Sequence, residues 1–549
     1  MNPPDNSSVG SPRGDTLALR LALIAAGAVL AFAVVTNQVW EDYYITFRVS
    51  QNFVSGHGLV YQAGERVQTF TSPLGVLLPA LGLLITGKVA GALLFFRVLS
   101  AAALGGAAAL MAAFGRDAGW KRASIWFIFV MGVLNAKTVA FAANGMETGI
   151  LLFFAALTWR EITRPGGPRW SRLAVGYGGL MWTRPDAFIL AGAMTAAGWL
   201  FGARGAPTDV RRAWWRKTGA AVLVGGLIYA PWFLGAWMYY GSPVPQTIAA
   251  KAEIMPAGVS ALRILFAPLQ CLVENTALDG VFAPAYFELN WPHDLINVFR
   301  LLARLGAWLW IVPALPRFAR AASLAVMLGA VYLHQIAPYP WYFGPWTLLA
   351  STALAGGLDV IASRWTGRAR ASGQVLASLV AAGSLVLLGL VTYTFRWQQR
   401  YIEDRGRRQI GLWLHAHAAP GDTVFLESLG YIGYFSQLKT LDVPGLSAPE
   451  VSRLMHDGHR DYATLIKTLH PSWVVIRPLE FIHNHLDEND GLRDYVLVGH
   501  SNVRPLLDRI SFLPSRGELE YDAEYLIFRR QDAPRLLAPA PSAAGDSKP

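Results

Sequence analysis

The sequence predicts a polytopic α-helical membrane protein carrying a smaller α/β domain towards its C-terminal end. Three observations point there. Of the 549 residues, 53% are hydrophobic and only 15% charged, against about 25% charged in soluble domains. Long apolar runs alternate with short segments rich in Arg and Lys. From about residue 396 the composition turns to ordinary globular patterning.

The formal net charge of +11 would suggest nucleic acid in a soluble protein. Here the basic residues sit between the apolar runs, the positive-inside pattern, so the charge reports topology and no nucleic-acid partner is expected. The single cysteine, Cys271, excludes an internal disulfide framework or a cysteine-based zinc site.

Residues 1–16 are polar, rich in Pro, Ser and Gly, and expected to be disordered on the cytoplasmic side. The run 17–39 is long enough to span. It is read as an uncleaved first helix, not as a signal peptide. Residues 74–86 are apolar but too short to cross, and are expected to form an interfacial or re-entrant helix. The run 88–114 returns to the basic residues Arg116, Lys121 and Arg122. Spans follow at 123–142, 146–163, 173–203 (broken at Thr183-Arg184-Pro185-Asp186), 218–240, 296–315, 322–338, 344–362 and 373–395. That gives about eleven crossings within a membrane domain of residues 17–395, with outer loops 40–87 and 241–295. Basic loops, the densest at 204–217, fall consistently on one side. The N-terminus is therefore expected in the cytoplasm and residues 396–531 outside it. In that outer α/β domain, Thr423–Glu427 and Trp473–Ile476 read as strands. The tail 532–549 reads as disordered.

The stretch that organises the chain is Trp40 to Pro73, WEDYYITFRVSQNFVSGHGLVYQAGERVQTFTSP. Glu41 and Asp42 stand where the first helix should end, among interfacial aromatics. Carboxylates at that depth are costly to desolvate and are functional candidates. The other outer loops add Arg48, His57, Glu65, Arg66, Glu147, Arg184, Asp186, Lys251 and His334, with Trp341 and Tyr342. Carboxylates can take a proton from an attacking hydroxyl, cations can hold a phosphate, and aromatic rings suit a sugar at the interface. Each residue also has a plainer reading. Arg184 and Asp186 pair around a helix break, Lys251 snorkels, His57 serves a turn between two glycines, Glu147 opens a helix, and Trp341 belongs to an aromatic belt. No phosphate-binding Gly-rich loop is present, and no cytoplasmic segment is long enough for a nucleotide-sugar domain. An activated donor should therefore arrive from the membrane.

Glu41-Asp42-Tyr-Tyr-Ile-Thr-Phe-Arg48, Gly56-His57-Gly58, Gly64-Glu65-Arg66-Val67 and Thr71-Ser72-Pro73-Leu74 together resemble the first loop of the GT-C glycosyltransferases. The resemblance is strongest to the branch containing the mycobacterial terminal β-(1→2)-arabinofuranosyltransferase. Gly145-Met-Glu147-Thr, Thr183-Arg184-Pro-Asp186, Gly241-Ser-Pro-Val-Pro245 through Lys251, and Asp442-Val-Pro-Gly445-Leu446 are similar to later motifs. The resemblance covers residues 17 to about 530. It implies inverting transfer of a sugar, arabinofuranose among the candidates, from a polyprenyl-phosphate donor in the bacterial cytoplasmic membrane. The acceptor it implies is a cell-envelope glycan or glycoprotein. Asp42 and Glu41 would be catalytic, and Arg48, His57, Arg66, Glu147, Arg184, Asp186, Lys251 and Trp341 would bind substrate. The family pattern has two Asp where this chain has Glu41 and Asp42, which leaves open which acid is the base. Some members of the wider fold use a divalent metal; no metal site is fixed by these residues. A transporter or flippase of lipid-linked glycans is the rival class, but such proteins usually show related halves, and no internal repeat is visible.

Overall fold

The structure is a computed structural model describing residues 12–253, 261–273, 277–284, 291–336 and 339–533. Cys271's side chain, Pro338, most of the expected disordered N-terminus and the tail from residue 534 lie outside what is described.

Helix α1 (Pro12–Thr36) begins earlier than the apolar run alone suggests. Asn37, in the left-handed region at φ 48°, reverses the chain into helix α2 (Glu41–Val54), whose first turn carries both Glu41 and Asp42. Carboxylates there complement the positive end of the helix dipole. Helix α3 (Pro73–Thr86) starts at Ser72, whose side chain accepts from the Gly75 amide, and stops at Gly87 with φ 65°. At 14 residues it is as short as the apolar run 74–86 suggests. Helix α4 (Val89–Asp117) then runs 29 residues and packs along α1 and along the helix Thr148–Ile162. The approach is close: a Cβ on Gly105 would lie 2.8 Å from the Ala22 carbonyl oxygen. Small residues at such contacts are what membrane bundles use.

Among the described residues, five helices are long and apolar enough to cross a membrane, six if Arg122–Val133 and Ala136–Ala143, bent by 53°, count as one. The other expected crossings fall short for local reasons. Thr148–Ile162 has 15 residues, His293–Trp308 has 16 and Arg317–Leu333 has 17. The 173–203 run divides at Arg184 into Trp170–Thr183 and Ala187–Gly198, because proline disfavours helix at the residue before it. Elsewhere helix replaces loop. The basic segment expected at 204–217 is largely absorbed into a 33-residue helix, Thr208–Tyr240, since Arg and Lys are good helix formers. The outer segment 241–295 contains Gln246–Glu253 and Ala261–Val273.

No break separates the last long apolar helix from the sheet domain. Gly367–His417 is a single 51-residue helix whose middle, Gln398–Arg407, is wound as π-helix. Beyond it, β1 (Thr423–Leu426), β2 (Lys439–Asp442), β3 (Trp473–Ile476), β4 (Tyr495–Asn502) and β5 (Glu524–Arg530) form one mixed sheet in the order β2-β1-β3-β5-β4. β1 is parallel to β2 and β3, and β5 is antiparallel to β3 and β4. All four residues of β3 are buried, as its unbroken apolar run requires.

The stretch between α1 and α4 is built into this sheet. Ile45, Val49, Tyr61, Phe70 and Val76 share one core with Val424, Leu426, Trp473 and Ile527. Gln62 donates to the Thr440 carbonyl (3.3 Å) and accepts from its amide (3.1 Å). Glu65 pairs with Lys439 at 2.6 Å. Helix α2 is thereby fixed between the bundle and the sheet.

Candidate active site

Two turns position the acidic pair. The Trp40 amide donates to the Asn144 carbonyl at 2.9 Å, and the Asn144 amide group donates to Gln38 at 3.2 Å. Arg97, buried in α4, donates to the carbonyls of Ala143 (2.8 Å) and Gln38 (2.6 Å). The turn before Glu41 is thus laced to the turn before Glu147. Gly145, at φ 97°, lets the Tyr43 ring lie against the backbone, where a Cβ would come within 2.5 Å.

Adjacent helical residues point about 100° apart, and Glu41 and Asp42 meet different surroundings. Glu41 Oε2 lies 2.7 Å from Arg407 Nη1, and its Oε1 accepts from the Gly430 amide at 3.2 Å. Arg407 also pairs with Glu403 at 3.1 Å and with Asp522. Asp522 reaches Arg477 at 2.7 Å, and Arg477 holds Glu427 (2.6 Å) and Glu480 (2.7 Å). Two buried guanidiniums are therefore shared among five carboxylates. Burial pushes the Glu41 carboxyl up to about 8, against the pull of Arg407 and with repulsion from Glu403, Asp522 and Glu427. Burial also opposes ionisation of Asp522, but Arg407 and Arg477 overcome it and hold that carboxyl well below the usual range.

Among the described residues, the Asp42 carboxylate has no ion-pair or hydrogen-bond partner. Burial pushes it up, the Lys251 charge pulls it down, Glu427 repels and Arg184 attracts it. Asp42 lies where two cavities meet. The larger is a cleft with about 1140 Å³ of empty volume, partly open to solvent, between the bundle and the sheet. Trp40, Glu41, Tyr339, Arg407, Glu427, Arg477 and Tyr521 line it. The smaller, about 550 Å³, reaches into the bundle past Ser72, Glu147, Arg184, Thr247 and Tyr342. Asp42, Lys251, Trp341 and Leu446 border both.

The smaller cavity is bordered by two cations, Arg184 and Lys251. Arg184 is clamped by Asp186 (3.1 Å) and Glu147 (3.3 Å) and lies 4.1 Å over the Tyr342 ring. Tyr332 donates to Asp186 at 2.9 Å. Lys251 sits 4.4 Å over Tyr339 and, among the described residues, has no carboxylate partner. Burial pushes its ammonium pKa down, and Asp42 acts against that. Tyr339 stacks on Trp341 at 4.9 Å, and Trp341 packs edge-on to Trp40 at 6.0 Å, giving an aromatic wall beside the acid.

Six residues singled out in the sequence thus converge with Glu41 and Asp42 or line their cavities: Glu147, Arg184, Lys251 and Trp341 directly, Asp186 behind Arg184, and Tyr342 beneath it. Arg48, His57 and Arg66 border neither cavity. Arg48 is buried against the sheet domain, donating to the carbonyls of Gly433 (2.8 Å) and Leu438 (3.2 Å). His57 is exposed in a turn. Arg66 is exposed over the Tyr239 ring. They share a motif with the acidic pair, but α2 and the turn after it carry them away. Arg407, Glu427, Arg477, Asp522 and Tyr339 were missed. The first four lie more than 360 residues from Asp42 in sequence and carry no spacing signal; Tyr339 stood within the aromatic run already noted around Trp341. No group of three or more His, Cys, Asp or Glu side chains converges as a metal site among the described residues.

Residues 394–528 match a domain of unknown function, DUF8728. The terminal β-(1→2)-arabinofuranosyltransferase of Mycobacterium tuberculosis (strain ATCC 25618 / H37Rv) is 28% identical over 225 residues, 38% of this chain and 34% of that protein. The match thus spans about a third of that relative's length. The Archaeoglobus fulgidus oligosaccharyltransferase, tethered to an acceptor peptide, superposes with a TM-score of 0.54 at 12% identity over 86% of this chain and 71% of that one. ArnT from Cupriavidus metallidurans, bound to undecaprenyl phosphate, superposes at 0.50 and 14% identity over 94% and 98%. The chain has the GT-C fold.

Proposed function

We propose that this GT-C chain is a membrane glycosyltransferase that moves a sugar from a polyprenyl-phosphate carrier to a cell-envelope glycan or glycoprotein. The observation that carries the reading is Asp42, a carboxylate unpaired among the described residues, set between the cavity that Arg184 and Lys251 border and the cleft beside the sheet, whose own arginines are already shared among carboxylates. Lys251 and Arg184 hold the donor phosphate in the smaller cavity. The acceptor enters through the cleft, its sugar ring against Trp40, Trp341 and Tyr339. Asp42 takes the proton of the acceptor hydroxyl as that oxygen bonds to the anomeric carbon. The bond from that carbon to the phosphate oxygen breaks on the opposite face, inverting the configuration. The cations stabilise the departing phosphate. Glu41, with both oxygens engaged, positions α2 through Arg407. The similarity to a terminal β-(1→2)-arabinofuranosyltransferase supports a sugar-transfer reading, and arabinofuranose is the sugar we propose.

In the same reading the N-terminus is cytoplasmic, the shorter helices bring the crossings to about eleven, and the sheet domain lies outside. His459 is exposed on that domain, unlike Ser447, which is buried against Asp442. In a Cys271→Ser background, His459→Cys should react with a membrane-impermeant maleimide in intact spheroplasts; labelling only after lysis reverses the orientation. For the activity, mass spectrometry of envelope glycans and glycoproteins from a deletion strain should show one terminal sugar missing. An unchanged profile would remove the proposed reaction.

A further inference from the structure

The π-wound stretch Gln398–Arg407 has two faces. Inward, Gln399 accepts from the Val39 amide at 2.9 Å and Arg407 reaches Glu41, so this segment helps hold the start of α2. Outward, it and the last turn of the α-helix before it carry arginines that the mechanism does not use. Arg396, Arg400 and Arg405 are all exposed. In an α-helix, position 405 would face away from position 396, nine residues earlier at about 100° each. The i→i+5 winding of a π-helix instead sets Arg400 and Arg405 one turn apart. Both guanidiniums lie over the Tyr401 ring, at 5.5 and 5.1 Å.

Among the described residues, these three arginines have no carboxylate partner. The nearby acids are already engaged. Asp404 accepts from Gln399 at 3.1 Å and lies 3.9 Å from Arg408, and Glu403 turns inward to Arg407. In the packed segment 504–520, Asp508 pairs with Arg516 at 2.9 Å, and Glu520 with Arg516 (3.0 Å) and Arg504 (3.6 Å). The arginines follow directly on a membrane-length helix, beside Tyr393, Trp397 and Phe512. Phe512 is 70% exposed and lies 6.3 Å from Tyr393. Aromatics of this kind mark a membrane–water interface, and an arginine cluster beside them matches the charge of an acidic lipid surface.

We propose that Arg396, Arg400 and Arg405 bind the headgroup of an anionic phospholipid, pre-ordered by Tyr401. The lipid seats the π-wound segment against the bilayer edge, and through Gln399 and Arg407 steadies the helix bearing Glu41 and Asp42. The inference needs the chain to lie in a membrane and does not depend on sugar transfer.

Native mass spectrometry of the purified full chain tests it, with phosphatidylglycerol, phosphatidylcholine and inorganic phosphate as separate probes. The wild type should retain phosphatidylglycerol about tenfold over phosphatidylcholine. The triple change Arg396→Gln, Arg400→Gln, Arg405→Gln should erase that preference, and the all-Lys triple should keep it. The single Arg405→Gln should weaken the preference and serves if the triple variant does not fold. Equal retention of both lipids by the wild type, or an undiminished preference in the Gln variants, overturns the proposal. Inorganic phosphate displacing phosphatidylglycerol at equal concentration would make this a free-anion site and overturn it too.

Discussion

The two cavities that meet at Asp42 differ in how their charges are settled. On the sheet side, every charge Glu41 touches is already shared: Arg407 and Arg477 serve five carboxylates in one network. On the bundle side, Asp42 and Lys251 are unpaired among the described residues, and Arg184 keeps one face on the cavity. A satisfied network holds geometry, whereas an unsatisfied acid and cation are free to meet substrate. Two adjacent carboxylates thereby receive different work from their surroundings, as the 100° between them allows.

The largest expected effect separates these two roles. Asp42→Asn keeps size and polarity but removes the proposed base, and should lower kcat by ~10²–10⁴ with the fold intact. Glu41→Gln should be milder in rate. Turnover near normal in Asp42→Asn beside a dead Glu41→Gln would exchange the two roles. Next, Arg407→Met removes the hub of the sheet-side network. Leaving buried carboxylates uncompensated should destabilise the fold by roughly 3–5 kcal/mol, measured by thermal unfolding in detergent. A stability close to wild type would show that the network is not what joins α2 to the sheet.

Smaller, and on the other side, Lys251→Ala should weaken donor use by roughly 1.5–3 kcal/mol if it holds the phosphate. It should also shift the pH profile. Lys251 lowers the Asp42 pKa, so its loss lets that pKa rise. The acid limb of kcat, where Asp42 must be deprotonated, should then move to higher pH. A limb that stays in place, with donor KM unchanged, would put Lys251 outside the site.

Much of this contrast was legible in the sequence on one side only. Helix α3 and strand β3 could be read because length and apolar continuity decide them locally. Glu41, Asp42, Glu147, Arg184 and Lys251 could be named because carboxylates and cations at membrane depth are rare. Their company could not. Arg407 reads as one more arginine in a basic stretch, and nothing local marks it as the one that turns inward while Arg405 faces out. Arg48, His57 and Arg66 show the converse error. Motif neighbours share a stretch of chain, but a helix distributes them around its circumference, and Arg48 went to the carbonyls of Gly433 and Leu438. The expected crossings between residues 146 and 338 were counted from hydropathy, which registers apolar length but not where a turn such as Arg184-Pro185 divides it.

The uninterrupted helix Gly367–His417 makes the geometry of the cleft answerable to its surroundings. At 51 residues it is roughly 75 Å long, about two and a half times the reach needed to cross hydrocarbon. Its far half stands as a lever arm carrying Arg407 and the first layer of the sheet domain. A bilayer of different thickness changes the tilt that a helix adopts, and here the same rod would swing the cleft's outer wall against Asp42. Membrane thickness would then set the width of the gap through which the acceptor must pass.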